Sequence, residues 1–192
     1  MNSITAYEKF ANDFLQGRDQ SLIGSKVVLK WANTLPKNTE VMEIACGGGY
    51  PITKSLQEAQ LKVWAIDSSK TLLEKFKSRF PDVPFKCESV QDSNFFGKKF
   101  DAVIAIGFLF LLPENEQIMT IKKISDIVHP KGKFLFTAPI EVGSWKDMNT
   151  GIDCISLGYE RYTEILKNSG FNLKSTFEDV GKNNYYEAEK FN

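Results

Sequence analysis

Between Val41 and Pro51 the chain reads Val-Met-Glu-Ile-Ala-Cys-Gly-Gly-Gly-Tyr-Pro, and Asp67 closes the next apolar run eighteen residues after Gly49. Residues 41–45 are a short apolar run suited to a buried strand. The three glycines then let the backbone turn tightly and approach a ligand, and Pro51 stands where a first helical turn can begin. A carboxylate ending the neighbouring parallel strand comes to the same edge of the sheet as the loop, where it can accept hydrogen bonds from the two hydroxyls of a ribose. The pattern predicts a strand, a bare loop and a helix start arranged around a ribose-bearing cofactor.

Spacing narrows the cofactor. A dinucleotide fingerprint places glycines first, third and sixth, the last so that helix and strand pack closely beside a pyrophosphate. Counted from Gly47 the sixth position is Ile52, and counted from Ala45 it is Tyr50. The segment instead resembles the first motif of class I S-adenosylmethionine-dependent methyltransferases, an acidic residue followed by small-x-Gly-x-Gly, here Glu43, Ala45, Gly47 and Gly49. Cys46 supplies a small side chain inside that loop. Ala45 replaces the family's commoner glycine, which matters where the backbone requires positive φ. An acidic Glu43 is compatible with this resemblance, because adenosylmethionine carries a carboxylate and an ammonium where a dinucleotide carries two phosphates.

After an N-terminal helical segment the chain alternates strand and helix. Tyr7, Phe10, Ala11 and Phe14 recur at helical spacing within 5–15, and 23–35 reads as a second helix stopped by Pro36. Strands are predicted at 41–45, 62–67, 84–88, 100–107 and 133–138, the fourth almost wholly apolar, as a buried parallel strand requires. Helices fall between them: 52–59, one capped by Ser68-Ser69 and running through Arg79, and one opened by Pro113-Glu114 and running to Val128. A helix over 159–168 leads to two closing strands, 171–178 and 185–190, around Gly181-Lys-Asn-Asn. This is an α/β, doubly wound sheet of seven strands. The resemblance implies a Rossmann-like fold, mostly parallel with an antiparallel C-terminal strand, in one domain over 1–192: a lid-forming segment at 1–36 and a core at 40–192.

Composition restricts the partners. The 192 residues include 24 basic and 24 acidic side chains, a formal net charge of zero, so no electrostatic footprint for nucleic acid is present. Lys98-Lys99 and Lys122-Lys123 are too short to supply one. Residues 1–9 lack an apolar core of signal-peptide length, no apolar run approaches a membrane span, and a cytoplasmic location is expected. Cys46, Cys87 and Cys154 lack metal-ligand spacing and fit reduced thiols; no metal is expected. The expected acceptor is a small molecule, with neither nucleic acid nor membrane as partner.

The resemblance extends over about residues 40–190 and implies roles by order. In the family an acidic residue after the third strand meets the adenine amino group and the next backbone N–H a ring nitrogen; Glu88 and Ser89, followed by Val90, stand there. Asp92 is the fallback, and the alternative for Glu88 is an exposed loop carboxylate. Ser68 follows the ribose carboxylate Asp67. Ile106 and Gly107 close the fourth strand, whose end faces the transferring methyl group in the family, with Phe108 and Phe110 beyond it. The lid of family members of this size carries an aromatic and an arginine near the methionine end, matched by Tyr7 and Arg18; Arg18 reads equally well as a surface arginine paired with Asp19. Tyr7, Phe10, Phe14, Phe108 and Trp145 could present electron-rich faces to a sulfonium or its acceptor. Position excludes His129, which precedes the fifth strand, and Asp101, at the entrance of the fourth, since both lie at the opposite sheet edge. Glu141 and Asp147 leave the fifth strand at the correct edge and are the first candidates if a side chain deprotonates the acceptor. Methyl transfer can also proceed by alignment alone. The resemblance thus implies an adenosylmethionine-dependent methyltransferase, the alternative being a non-catalytic adenosylmethionine-binding sensor or partner subunit.

Overall fold

In the computed structural model, which describes residues 2–192, the chain forms a seven-stranded sheet and a separate two-stranded hairpin. The first helices are α1 (Ser3–Lys9), α2 (Ala11–Asp19) and α3 (Ser25–Ala32). The parallel core follows as β1 (Glu40–Ile44), α4 (Ile52–Glu58), β2 (Lys62–Asp67), α5 (Lys70–Arg79), β3 (Phe85–Cys87), β4 (Phe100–Ala105), α6 (Glu114–Ile127) and β5 (Val128–Thr137). Beyond it come β6 (Val142–Lys146), β7 (Asp153–Leu157), α7 (Gly158–Asn168), β8 (Phe171–Glu178) and β9 (Asn184–Lys190).

The sheet order is β3-β2-β1-β4-β5-β9-β8, with β9 antiparallel to both its neighbours. Reversal of strand order between β1 and β4 opens a crevice at their C-terminal ends, where open α/β sheets take their ligands. This is the Rossmann-like arrangement expected from the sequence. Alternation along the strands sorts side chains to the two faces. Val41, Val63 and Ala65 pack with Trp31, Leu56 and Phe76 on the side of α3 to α5, while Met42, Ile44 and Val103 pack with Ile121, Ile124 and Tyr162 beneath α6 and α7.

Four local expectations change. The single helix expected over 5–15 is two helices, broken at Phe10, whose backbone leaves the helical region. α3 occupies only the middle of 23–35, because Gly24 at φ 87° starts it and Asn33 ends it. β5 begins at Val128 rather than 133, with a register shift against β4, so the helix expected to reach Val128 ends one residue earlier. The residues after Pro139 are not all loop: β6 and β7 pair antiparallel from Val142↔Leu157 to Lys146↔Asp153. Cys154 and Ser156 alternate inward on β7, a weak period-2 signal masked by the polar, glycine-bearing sequence around it. Among the described residues no helix is long and apolar enough to cross a membrane.

Candidate functional site

A cavity of about 350 Å³ opens at the C-terminal edge of the parallel strands, roofed by α1 and α2. Its floor is built as the motif requires. β1 ends at Ile44 and the chain turns through Ala45 at φ 57°, Gly47 at φ 55° and Gly49 at φ 78°. Ala45 therefore does occupy the left-handed region that its replacement of glycine made a concern, at a cost of roughly 1 kcal/mol. Gly47 is tied directly to β2: its N–H donates to Asp67 Oδ2 at 2.8 Å, while Ser69 N–H donates to Oδ1, also at 2.8 Å. Burial pushes the Asp67 carboxyl up from its ordinary value, against these backbone N–H groups, which favour the charged form. Each Asp67 oxygen retains a lone pair for a ligand hydroxyl.

Residues that follow β3 and β4 both line the cavity. Glu88 lines the cavity and accepts from Ser93 Oγ at 2.6 Å through Oε1 only. Asp92, the fallback, is used locally, accepting from Ser89 Oγ at 2.7 Å, and does not reach the wall. Gly107 N–H donates to Thr137 Oγ1 at 2.7 Å, joining the tips of β4 and β5. A Cβ built on Gly107 meets nothing within 4 Å and would project into open space, so this glycine leaves room for a ligand.

The roof is fastened by polar contacts. Glu8 of α1 accepts from Ser69 Oγ at 2.5 Å, Thr71 Oγ1 at 2.8 Å and Thr71 N–H at 3.2 Å, capping α5 from another helix. These bonds, that with Ser69 foremost, hold the Glu8 carboxyl below its usual value. Arg79 donates to Gly48 O at 3.1 Å and pairs with Asp19 of α2. Arg18 is thereby freed from the Asp19 pairing considered above. It lines the cavity and donates to Ile23 O at 3.1 Å; burial lowers its pKa, opposed by Tyr185, Asp179 and Glu43.

Of the residues singled out from the sequence, Tyr7, Phe14, Arg18, Ala45, Gly47, Asp67, Ser68, Glu88, Ser89, Val90, Ile106, Gly107, Phe108, Phe110 and Asp147 share this one wall. Six do not. Glu43 lies on the opposite face of β1 and accepts from Thr53 Oγ1 at 2.6 Å. Cys46 and Gly49 are turned into the core, Gly49 against Phe76 and Phe80. Phe10 sits at the break between α1 and α2 beneath the Lys9 ammonium. Trp145 backs Phe110 at 5.4 Å between ring centroids, and Glu141 is exposed to solvent. His129 and Asp101 line a separate opening with Lys131 at the far edge. The sequence reading missed Asn149, Asn183 and Tyr185, which arrive from the hairpin turn and from β9 and its preceding turn; no local pattern marks them.

Full burial pushes the Glu43 carboxyl up to about 8, offset in part by Thr53 and Arg18. A carboxyl raised in the folded state costs stability progressively as pH climbs from its unfolded value near 4.5 to the folded one. Glu43→Gln keeps an acceptor for Thr53 and removes that cost. Its stability advantage over wild type should therefore grow between pH 5 and pH 8 to the order of a few kcal/mol, read by urea titration at each pH. Parallel stability curves for the two proteins would contradict a Glu43 carboxyl raised by its burial.

Residues 41–132 match the family model for a methyltransferase domain. A tRNA U34 carboxymethyltransferase of Idiomarina loihiensis is 22% identical over 128 residues, covering 59% of this chain and 38% of that protein. Another, from Nautilia profundicola, is 25% identical over 123 residues, covering 60% and 40%. The chain spans well under half the length of these curated relatives. A solved S-adenosylmethionine-dependent methyltransferase from Clostridium acetobutylicum superposes with a TM-score of 0.70 at 15% identity, covering 97% of this chain and 99% of that one. A glycopeptide N-methyltransferase complexed with S-adenosylhomocysteine gives 0.72 at 16%, covering 87% and 90%. One expectation is corrected here. A small-molecule acceptor with no nucleic-acid partner was inferred from neutral charge, yet the curated relatives are named for a tRNA nucleotide. Net charge is a sum over the whole surface, and a summed zero does not describe the mouth of one cavity.

Proposed function

We propose that the protein, whose residues 41–132 match the model for a methyltransferase domain, is an S-adenosylmethionine-dependent methyltransferase whose acceptor is a base of tRNA. The observation that carries the donor half is the convergence of Gly47, Asp67, Glu88 and Gly107 on one cavity at the carboxyl edge of β1 to β4. These residues fit the donor. Asp67 has lone pairs for the ribose hydroxyls, Glu88 has a free Oε2 for an exocyclic amine, and Gly107 has an open Cβ position. Arg18 lines the same wall and could take the carboxylate in two hydrogen bonds. When bound, adenosylmethionine supplies an electrophilic methyl carbon on a cationic sulfur. The chain's own part is to align the acceptor and keep water out, for which the roof of α1 and α2 is suited.

The acceptor half is supported by the curated relatives' names and by the aromatic character of the far wall, where Phe108, Phe110 and Tyr7 offer faces on which an extruded base can stack. Two measurements test the reading. Calorimetric titration should show binding of adenosylhomocysteine and not of NAD; binding of NAD alone would overturn it. Incubation with methyl-labelled adenosylmethionine and total tRNA should leave label in a nucleoside after nuclease digestion. Label absent from tRNA but present in another fraction of a cell extract would discard the tRNA acceptor and keep the enzyme. Adenosylhomocysteine binding without release of it from any extract fraction would favour the non-catalytic binding module.

A further inference from the structure

Asp147 is 9% exposed, lines the cavity and forms no ion pair with any cation among the described residues. It sits at the start of the turn joining β6 to β7, a hairpin inserted between β5 and α7. β7 packs against the turn at 109–111 that follows β4, so the hairpin closes the cavity on the side of Gly107 and Phe108. One carboxylate oxygen is fixed: Oδ2 accepts from Thr150 N–H at 2.9 Å and Thr150 Oγ1 at 2.6 Å. The other is lightly held, with only the Tyr7 hydroxyl at 3.5 Å from Oδ1. Tyr7 comes from α1 in the roof, and its ring meets Phe14 edge-on at 5.4 Å. Burial raises the Tyr7 hydroxyl well above its ordinary pKa, with the Asp147 charge adding to the effect, so it remains a donor. Besides Tyr7, the titratable group facing Asp147 is Cys154 of β7, whose thiol burial raises to about 11. Asp147 therefore lines the cavity with one oxygen held by Thr150 and the other by a single long hydrogen bond, with no cationic partner among the described residues. Glu141, the other candidate at this edge, is exposed and outside the wall.

Resting on the methyltransferase reading, we propose that Asp147 is the catalytic group that receives the acceptor's proton, and that Tyr7 is the positioning residue that aims its more lightly held oxygen. In the step, a lone pair on the acceptor's O–H or N–H atom forms a bond to the methyl carbon. The carbon–sulfur bond breaks with its electrons going to sulfur, which becomes a neutral thioether. The acceptor's proton passes to Asp147 Oδ1 and leaves to water with the product.

The placement has a consequence that needs no acceptor. An unpaired carboxylate beside the reacting end attracts the cationic sulfonium of adenosylmethionine and has no such attraction for the neutral sulfur of adenosylhomocysteine. Asp147→Asn should fold, since Asn retains an oxygen for Thr150. Calorimetric titration with the two nucleosides should show adenosylmethionine binding weakened relative to adenosylhomocysteine by about threefold or more. With total tRNA as acceptor, Asp147→Asn should lower the transfer rate about a hundredfold or more. Tyr7→Phe should lower kcat and leave the KM for adenosylmethionine within about twofold, a split that simple loss of fold does not produce. If both nucleosides bind and Asp147→Asn leaves their affinity ratio unchanged, the assignment of Asp147 is overturned and the methyltransferase reading stands. If neither binds the wild-type protein, that reading falls with it.

Discussion

Replacing Asp67 with alanine is expected to reduce adenosylhomocysteine affinity by about 3 kcal/mol, roughly 150-fold, measured by calorimetry. Two contributions act together. The first is the loss of charge-assisted hydrogen bonds to the ribose hydroxyls, each worth about 1.5–3 kcal/mol. The second is indirect: Asp67 is the acceptor for Gly47 N–H and Ser69 N–H, so its removal also unfastens the loop and the start of α5. Fold and affinity should separate in this variant. Burial disfavours the Asp67 charge, so deleting it relieves a desolvation cost even as two amides lose a partner. A protein with native circular dichroism and an affinity within threefold of wild type would place the ribose elsewhere.

The second large effect is on stability. Gly49→Ala is expected to destabilise the protein by about 2–4 kcal/mol, a fall in Tm of roughly 5–15 °C. A Cβ at Gly49 would lie 2.4 Å from Phe80 Cε2 and 2.9 Å from Phe76 Cδ2, and the backbone there is at φ 78°. Neither ring can yield. Phe76 is fully buried, Phe80 nearly so, and they pack on each other at 5.2 Å and on Phe85 at 5.7 Å from Phe76. Gly17, in the interior of α2, supplies the contrast, because a Cβ there meets nothing within 4 Å. Gly17→Ala should leave stability equal or raise it by about 0.5–1 kcal/mol. Thermal melts of the two variants side by side test whether Gly49 serves packing rather than ligand approach, and equal melting temperatures would remove that distinction.

This contrast revises the reading of the glycine motif. From sequence, Glu43, Ala45, Gly47 and Gly49 stand as one cofactor-binding set. In the fold only Ala45 and Gly47 face the cavity, while Gly49 accommodates Phe76 and Phe80, and Glu43 accepts a hydrogen bond from Thr53 of α4. The spacing correctly indicated the loop, yet the direction of each side chain follows from strand alternation and from which helix covers which face. Asp67 was legible because it ends the apolar run that follows the glycine loop, whereas Glu88 was reached only through the family resemblance. The hairpin at 142–157 was obscured, since its pairing is tertiary and its residues alternate only weakly.

The sequence by itself determined the seven-stranded doubly wound sheet and the edge at which ligands collect, and it singled out Asp67 at the end of β2. These depend on local hydrophobic period, turn residues and the fixed hand of strand–helix–strand connections, all of which act over a few tens of residues. Only the tertiary structure decided the fastening of the roof and the rest of the cavity wall: Glu8 capping α5, Arg79 holding both Asp19 and Gly48, Tyr7 against Asp147, and Tyr185 arriving from β9. Those contacts join residues 31 to 140 positions apart. Their partners are chosen by packing of whole elements, which leaves no periodic trace in the order of amino acids.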